Sequence, residues 1–539
     1  MPTINDRLLD RLKELNEIGI ALSRERDIGK LLELILDAAK RFARADAGTL
    51  YLFESEAQTL RFEILRNDTL HTNLGGSSGQ PIKFPPIRMY DDSGSPVHSM
   101  VVTHAALTGE TVNIADAYDE QKFDFAGTRK FDASTGYRSK SFLTVPMHNH
   151  EGELVGVLQL INAIDPASGE IVPFSRDDQH MLESLASQAG IALSNRQLVQ
   201  QMEKLFESLV MLINTAIDEK SPYTAGHCER VPELTMLLAE AVNRTVAGPL
   251  SDFHMTDRDR YELHIAGLLH DCGKISTPVH VVDKATKLQT IFDRIHLLDT
   301  RFEVLKRDAE IAMLRGAAAG GDADSLRAAY ESRLAQMDAD REFLRHSNIG
   351  KERMSDEDVA RVHDIAGRYR WHDASGAETD LLSAEEVENL VIRAGTLTGE
   401  ERGIINRHID VTIKMLNALP WPKHLKNVPE YAGGHHERMD GKGYPLGLTR
   451  EQMSVQARCM GIADIFEALT AKDRPYKKGM KLSEALFILG KFKENGHIDP
   501  DLFDVFIREK VYLAYAQSFM LPEQIDEVDL GKVPGCPAL

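Results

Sequence analysis

The run His435-His436-Glu437-Arg438-Met439-Asp440-Gly441-Lys442-Gly443-Tyr444-Pro445 constrains this chain more than any other feature, because its two adjacent imidazoles do not stand alone. His227, His270-Asp271 and His408 precede them and Asp464 follows, giving the order H…HD…H…HH…D. Taken singly, most of these positions have ordinary explanations. His227 would cap a helix, His408 would share an apolar face with Ile404, Val411 and Met415, and the pair after Gly433-Gly434 would mark a turn. Asp464 resists that treatment: within Met460-Gly461-Ile462-Ala463-Asp464-Ile465-Phe466 an unpartnered carboxylate is costly to bury. His270-Asp271 closes the apolar stretch Ile265-Ala266-Gly267-Leu268-Leu269, where a cation would offset the same cost. Jointly the ordinary explanations fail, and the chain must gather distant segments around one centre.

Neutral imidazoles and carboxylates suit first-row metals, iron first, with manganese and zinc as alternatives. Cys228, Cys272, Cys459 and Cys536 are scattered and form no CxxC pair, so no thiolate set competes. A carboxylate such as Asp271 can bridge two ions about 3.5–4 Å apart, and such a pair generates hydroxide from water at neutral pH and offsets charge on a phosphoryl group during in-line attack. Lys274 lies one helical turn beyond Asp271, near any phosphate held there. Asp271 and Lys274 are therefore the catalytic candidates. Two further pairs, His363-Asp364 and His372-Asp373, sit in polar surroundings and read as solvated surface.

A chain of 539 residues calls for two or three domains. The net charge of −20 argues against general binding to nucleic acid or an anionic membrane, while leaving room for a small anionic ligand in a locally basic pocket. Scattered cysteines indicate a reducing compartment. The first residues lack a basic stretch followed by an apolar core, and no run approaches the roughly 18–20 apolar residues that span a bilayer, so a cytoplasmic protein is expected.

Residues 6–45 carry helical periodicity, followed by strand-like runs at 49–53 and 60–65 and a loop-rich stretch from 68 to 100. Residues 141–147 and 154–161 flank His148-Asn149-His150-Glu151-Gly152 as a hairpin. A helix is predicted from Ser175, with Asp177 and Asp178 favouring its positive end. Leu198, Met202, Leu205, Leu209 and Leu212 continue it with coiled-coil spacing, the pattern of a dimeric signalling helix. Two helical, His/Asp-rich stretches at 213–283 and 396–515 enclose an insert of roughly 110 residues. Within it, Ile295, Leu298, Phe302 and Leu305 and a Gly-rich reversal at 316–322 predict an antiparallel helical hairpin.

Outside the insert, residues 208–515 resemble the HD-GYP family, the HD-superfamily branch that hydrolyses cyclic di-GMP. The motifs are Tyr223-Thr224-Ala225-Gly226-His227 with Arg230-Val231, His270-Asp271-Cys272-Gly273-Lys274, Leu397-Thr398-Gly399-Glu400-Glu401 before His408, the His435–Pro445 run, Ala463-Asp464 through Thr470, and Asp473-Arg474-Pro475-Tyr476-Lys477-Lys478. The resemblance implies metal ligation by His227, His270, Asp271, His408, His435, His436 and Asp464. It implies substrate contact at Lys274, Asp440, Gly443, Tyr444, Pro445, Arg474 and Lys477. Some members hold a third metal through a glutamate four residues before the first histidine; Tyr223 stands there, so two ions are expected.

Residues 20–195 resemble a GAF domain of the phosphodiesterase and adenylyl-cyclase type, through Thr135 to Pro146 and Val155 to Asn162. Of the cyclic-nucleotide motif Asn-Lys…Phe-x3-Asp-Glu, Asn162, Phe174 and Asp178 match, whereas Ala163 and Gln179 replace Lys and Glu. Those three are the GAF ligand candidates, for a small molecule that could be a cyclic nucleotide. The expected architecture is an N-terminal helix and α+β GAF sensor over 1–196, with flanking helices on an antiparallel sheet. A signalling helix over 197–212 leads to an all-α HD-GYP domain over 213–530, with the helical insert at 285–395. The resemblance implies a GAF-regulated, dimeric phosphodiesterase that opens cyclic di-GMP to pGpG, leaves open whether GMP follows, and could dock to other cyclic di-GMP signalling proteins. Two readings stay open beside it: the same site acting on another cyclic dinucleotide or nucleotide, and a catalytically silent nucleotide-sensing or docking module.

Overall fold

The computed structural model describes residues 4–25, 27–221, 226–350, 353–472 and 479–536. It divides into two compact units, Met1–Phe206 and Glu207–Leu539.

The first unit opens with helices α1 (Ile4–Arg24) and α2 (Ile28–Ala43), the latter capped by the Asp27 carboxylate on the Lys30 N–H. Strands β1 (Ala45–Glu54), β2 (Thr59–Asn67), β3 (Thr72–Gly75) and β4 (Ile87–Arg88) precede α3 (Val101–Thr108). Then come β5 (Val112–Ile114), α4 (Ala126–Thr135), β6 (Phe142–His148), β7 (Leu154–Ile164) and β8 (Ile171–Val172). The sheet runs β3-β2-β1-β7-β6-β5, with β4 on β2 and β8 on β7, all neighbours antiparallel. Alternation along the strands decides what each face does. Leu50 and Leu52 of β1, Leu143 and Val145 of β6, and Leu158 and Leu160 of β7 enter a core with α1, α2 and α5 (Arg176–Lys220). Their neighbours Thr49, Tyr51, Phe142, Gln159 and Ile161 face the other side and line a cavity of about 930 Å³ beneath α3 and α4. The predicted hairpin is β6–β7. The helix expected from Ser175 starts at Arg176, with the Ser175 hydroxyl accepting from the Asp178 N–H and Asp178 accepting from the Ser175 N–H.

The second unit is built on α6 (His227–Asn243), which lies against α7 (Asp257–Leu269), α16 (Val455–Thr470), α18 (Pro500–Arg508) and α19 (Val511–Phe519). Between α7 and α16 the chain forms α8 (Val279–Val282), the insert, α13 (Gly399–Asn406), α14 (His408–Asn417) and α15 (Val428–Gly433); α17 (Leu482–Glu494) follows α16. Capping boxes at Thr256/Asp259 and Thr398/Glu401 start α7 and α13. The insert holds α9 (Ile295–Ala318), α10 (Ala323–Asn348), α11 (Asp356–Arg368) and α12 (Ala384–Leu390), and α9 and α10 form the expected helical hairpin. Leu298, Phe302, Leu305, Met337, Leu344 and Ile365 give it a core of its own. All-α needs one correction, because β9 (Arg370–His372) pairs with β10 (Glu378–Asp380) inside it. The ends of the insert meet: the Thr396 hydroxyl donates to the Lys284 carbonyl at 2.8 Å, and buried Lys284 pairs with Glu401 at 2.7 Å. Among the described residues no helix is long and apolar enough to cross a membrane.

Candidate metal centre

The seven ligand candidates converge. His227 opens α6 and His270-Asp271 follow α7, while His408 opens α14, His435-His436 follow α15 and Asp464 sits within α16. They form two groups, His227–His270–Asp271–Asp464 and His408–His435–His436, with donor atoms inside each group within 4.8 Å of one another. Asp271 stands between them. Its Oδ2 lies 3.0 Å from His227 Nε2 and 3.2 Å from His270 Nε2, whereas its Oδ1 lies 3.1 Å from His408 Nε2. Asp464 Oδ1 lies 3.3 Å from His227 Nε2.

Local backbone geometry fixes how the imidazoles point. Nδ1–H of His270, His408 and His435 donates to the carbonyls of Gly267, Ile405 and Ala432 at 2.6, 2.7 and 2.6 Å. Each acceptor lies three residues earlier, at the end of the preceding turn. A carbonyl only accepts, so the proton must sit on Nδ1 and the Nε2 lone pair must face the centre. His227 is held the same way by a carboxylate, with Nδ1 2.5 Å from Glu467 Oε2, and Glu467 is itself fixed by Arg230 at 2.7 Å. This is the arrangement by which a carboxylate orients a ligating histidine.

The consequence is a cluster of acceptors facing acceptors. His270 Nε2 and His227 Nε2 are 3.4 Å apart, His436 Nε2 and His408 Nε2 are 3.3 Å apart, and among the described residues buried Asp271 Oδ1 and His435 Nε2 have no hydrogen-bond partner. Protons or cations must lie between them. Burial pushes His435 well below its ordinary range and His436 down to about 4, so protons are unwelcome there. Burial opposes charge on Asp271 and Asp464, yet Lys274 and His270 outweigh it for the first, and His227 and His436 for the second. Both carboxylates are held well below the usual range. The donor set fits divalent first-row cations. Cys228 and Cys272 stay thiols, pushed up by burial to about 12 and about 11, and compete as ligands poorly.

Lys274 Nζ sits 2.5 Å from Asp271 Oδ2. Burial would lower its pKa, but Asp271 and Asp464 raise it, so the ammonium persists. The turn that carries it has no room to spare: a Cβ on Gly273 would stand 2.0 Å from the His408 carbonyl, and the Gly273 N–H donates to Thr412 Oγ1. In the glycine loop, Tyr444 stacks on His436 with ring centroids 4.8 Å apart. Glu437 accepts from the N–H groups of Leu446, Gly447 and Leu448 and shapes the loop that follows Pro445. Asp440 braces the loop through Arg438 and the Lys442 N–H, and Gly443 lies against the Glu437–Arg438 backbone, where a Cβ would meet atoms at 2.4–2.6 Å. Arg474, Lys477 and Tyr223 fall outside the described residues. Glu467 and Arg230 were unassigned by sequence, although Glu467 lies one helical turn after Asp464.

The GAF candidates are not brought to the cavity of the first unit. Asn162 accepts from the Lys140 N–H and donates to Tyr137 and the Arg138 carbonyl, Phe174 is in the helix-side core, and Asp178 caps α5. None of the three is among its lining residues.

Residues 27–193 match the GAF domain family, and residues 224–319 and 384–502 match HD domain families. A cyclic di-GMP phosphodiesterase of Pseudomonas aeruginosa is 40% identical over 134 residues, covering 25% of this chain and 31% of that protein. A 3'3'-cGAMP-specific phosphodiesterase of Vibrio cholerae is 33% identical over 323 residues, covering 60% of this chain and 42% of that protein. A dual 3',5'-cyclic-AMP and -GMP phosphodiesterase of Takifugu rubripes is 36% identical over 124 residues, covering 22% of this chain and 13% of that protein. The chain thus spans less than half the length of each of these relatives. The GAF match lies within the first unit, and the converging histidines and aspartates of the second unit are divided between the two HD domain matches.

Proposed function

We propose that the second unit is a metal-dependent phosphodiesterase that opens cyclic di-GMP to pGpG and is regulated by the GAF domain. The observation that carries this reading is Asp271, whose two oxygens face two separate histidine groups, as a carboxylate shared by two ions requires. One ion would be held by His227, His270, Asp271 and Asp464, the other by Asp271, His408, His435 and His436. Iron is the first choice, and manganese or zinc suit the same donors. Bound there, such ions supply Lewis acidity toward water and the phosphoryl group.

The remaining work belongs to side chains. Lys274 keeps its charge beside Asp271 and is placed to meet a phosphate oxygen. Tyr444, stacked on His436, walls the pocket beside the ions, with Asp440, Gly443 and Pro445 holding that wall in position. Arg474 and Lys477 take the remaining phosphate charge in this reading, on the strength of the motif alone.

The exposed stripe Leu198, Met202, Leu205, Leu209 and Leu212 along α5 suits a homodimer. The four cysteines are free, the state a reducing cytoplasm maintains. Docking to other cyclic di-GMP signalling proteins accords with the same assignment.

Protein purified without oxygen and reloaded separately with iron, manganese or zinc should convert cyclic di-GMP to pGpG, and His270→Ala should abolish turnover. Metal-loaded protein that leaves the substrate intact over hours, while His270→Ala changes nothing, would falsify the proposal. A second substrate, 3'3'-cGAMP, belongs in the same assay, because the relative named for it aligns with more than half of this chain. Metal analysis showing no bound ion would favour a docking module instead.

A further inference from the structure

The cavity of the first unit is large enough for a drug-sized ligand, at about 930 Å³. Its walls are aromatic: Tyr51, Phe62 and Phe84 stand in a chain with centroids 4.7 and 5.4 Å apart, and Phe125 faces Phe142 at 5.2 Å. Three lining residues, Phe84, Met100 and Phe131, remain 37–47% exposed, leaving apolar surface in water at the lining.

The charged lining residues are Arg66 and Asp124, and both are committed. Arg66 donates to Glu33 Oε1 at 2.8 Å and to the Leu74 carbonyl at 3.0 Å. The Asp124 carboxylate accepts from the Ala126 N–H at the start of α4, and the Asp124 N–H donates to the Ser99 carbonyl. A phosphate brought into such a cavity would lose its water without gaining a free cation. One helix terminus offsets less than desolvating an ion costs. Polar groups are present at the lining, where Tyr51 donates to Gln159 Oε1 at 3.3 Å beside Thr49.

We propose that this cavity takes an uncharged, largely apolar molecule with a hydrogen-bonding group, and does not take a cyclic nucleotide or another phosphate-bearing signal. The inference concerns the GAF domain alone and stands whatever the HD site hydrolyses.

The test uses the full chain and the neutral planar dye Nile red, with cyclic AMP and cyclic GMP as anionic competitors. The dye should bind with saturable fluorescence. The double variant Phe84→Asp/Phe131→Asp, altered at two of the most exposed side chains of the lining, should weaken binding by about tenfold or more, roughly 1.4 kcal/mol. A control on the exposed α5 stripe, Met202→Asp/Leu205→Asp, should leave uptake unchanged. Displacement of the dye by either cyclic nucleotide at micromolar concentration overturns the proposal. So does uptake lost in the α5 control but retained in the cavity variant.

Discussion

Glu467 shows what a single carboxylate does for the proposed centre. It touches no candidate ion, but it holds the proton of His227 Nδ1 and is pinned by Arg230, so it sets which nitrogen of His227 faces inward. Glu467→Gln keeps the shape and removes the charge. It should weaken metal binding by about 10–100-fold while leaving the fold intact, measured by metal titration alongside circular dichroism. Unchanged affinity would reduce Glu467 to a structural contact. Residue-level legibility divides along the same line. Asp271 and Asp464 could be singled out because a carboxylate in an apolar helix needs a partner. Glu467 could not, because its partner is 240 positions away and only the folded chain joins them. Asn162 and Asp178 matched a motif yet serve the backbone, since polar side chains at strand and helix ends are claimed first by local N–H and C=O groups.

Elements are joined by a second buried carboxylate, which is not a ligand candidate. Asp499 caps α18 through the Asp501 and Leu502 N–H groups and pairs with Arg458 of α16 and with Arg450 at 2.9 Å. Burial opposes its ionisation, but the two arginines and the cap bonds prevail and hold its pKa below the usual range. Asp499→Asn should cost about 3–5 kcal/mol at neutral pH, since two guanidiniums lose their buried partner. Because the folded-state pKa is depressed, that stability is complete above the unfolded value of about 3.9 and is lost as pH falls through the folded value. The gap between wild type and variant, followed by urea unfolding, should stay level from about pH 6 to 8 and close below about pH 4. A gap independent of pH would mean that Asp499 acts by shape alone. At this scale the hairpin β6–β7, the long helix α5 and the α9–α10 pair were legible, each carrying a sustained period. The β9–β10 hairpin was not, because strands of three residues are too short to show a sustained alternation.

For the whole molecule, the insert is the informative piece. It has its own core, and its ends are clasped by the Thr396–Lys284 hydrogen bond and the Lys284–Glu401 pair. Such a segment closes its own loop, so the surrounding helices do not bear the entropy of closing roughly 110 residues. Replacing residues 286–394 by a Gly/Ser linker of about four residues should therefore leave metal content and helical unfolding of the remainder nearly unchanged. Loss of bound metal in an otherwise folded variant would show instead that the insert braces the centre.

The same arrangement imposes a schedule on synthesis. The first three ligand candidates, His227, His270 and Asp271, leave the ribosome before the rest, and Asp464 follows Asp271 by roughly 190 residues. At about 5–20 residues per second, that is on the order of 10–40 s during which half a centre exists without its other half. A clasped, self-cored insert lets the ribosome deliver a finished module in that interval rather than a loose tether. It also means that an ion can be captured at its full complement of donors only after α16 has emerged, which makes metal loading one of the last events in the making of this protein.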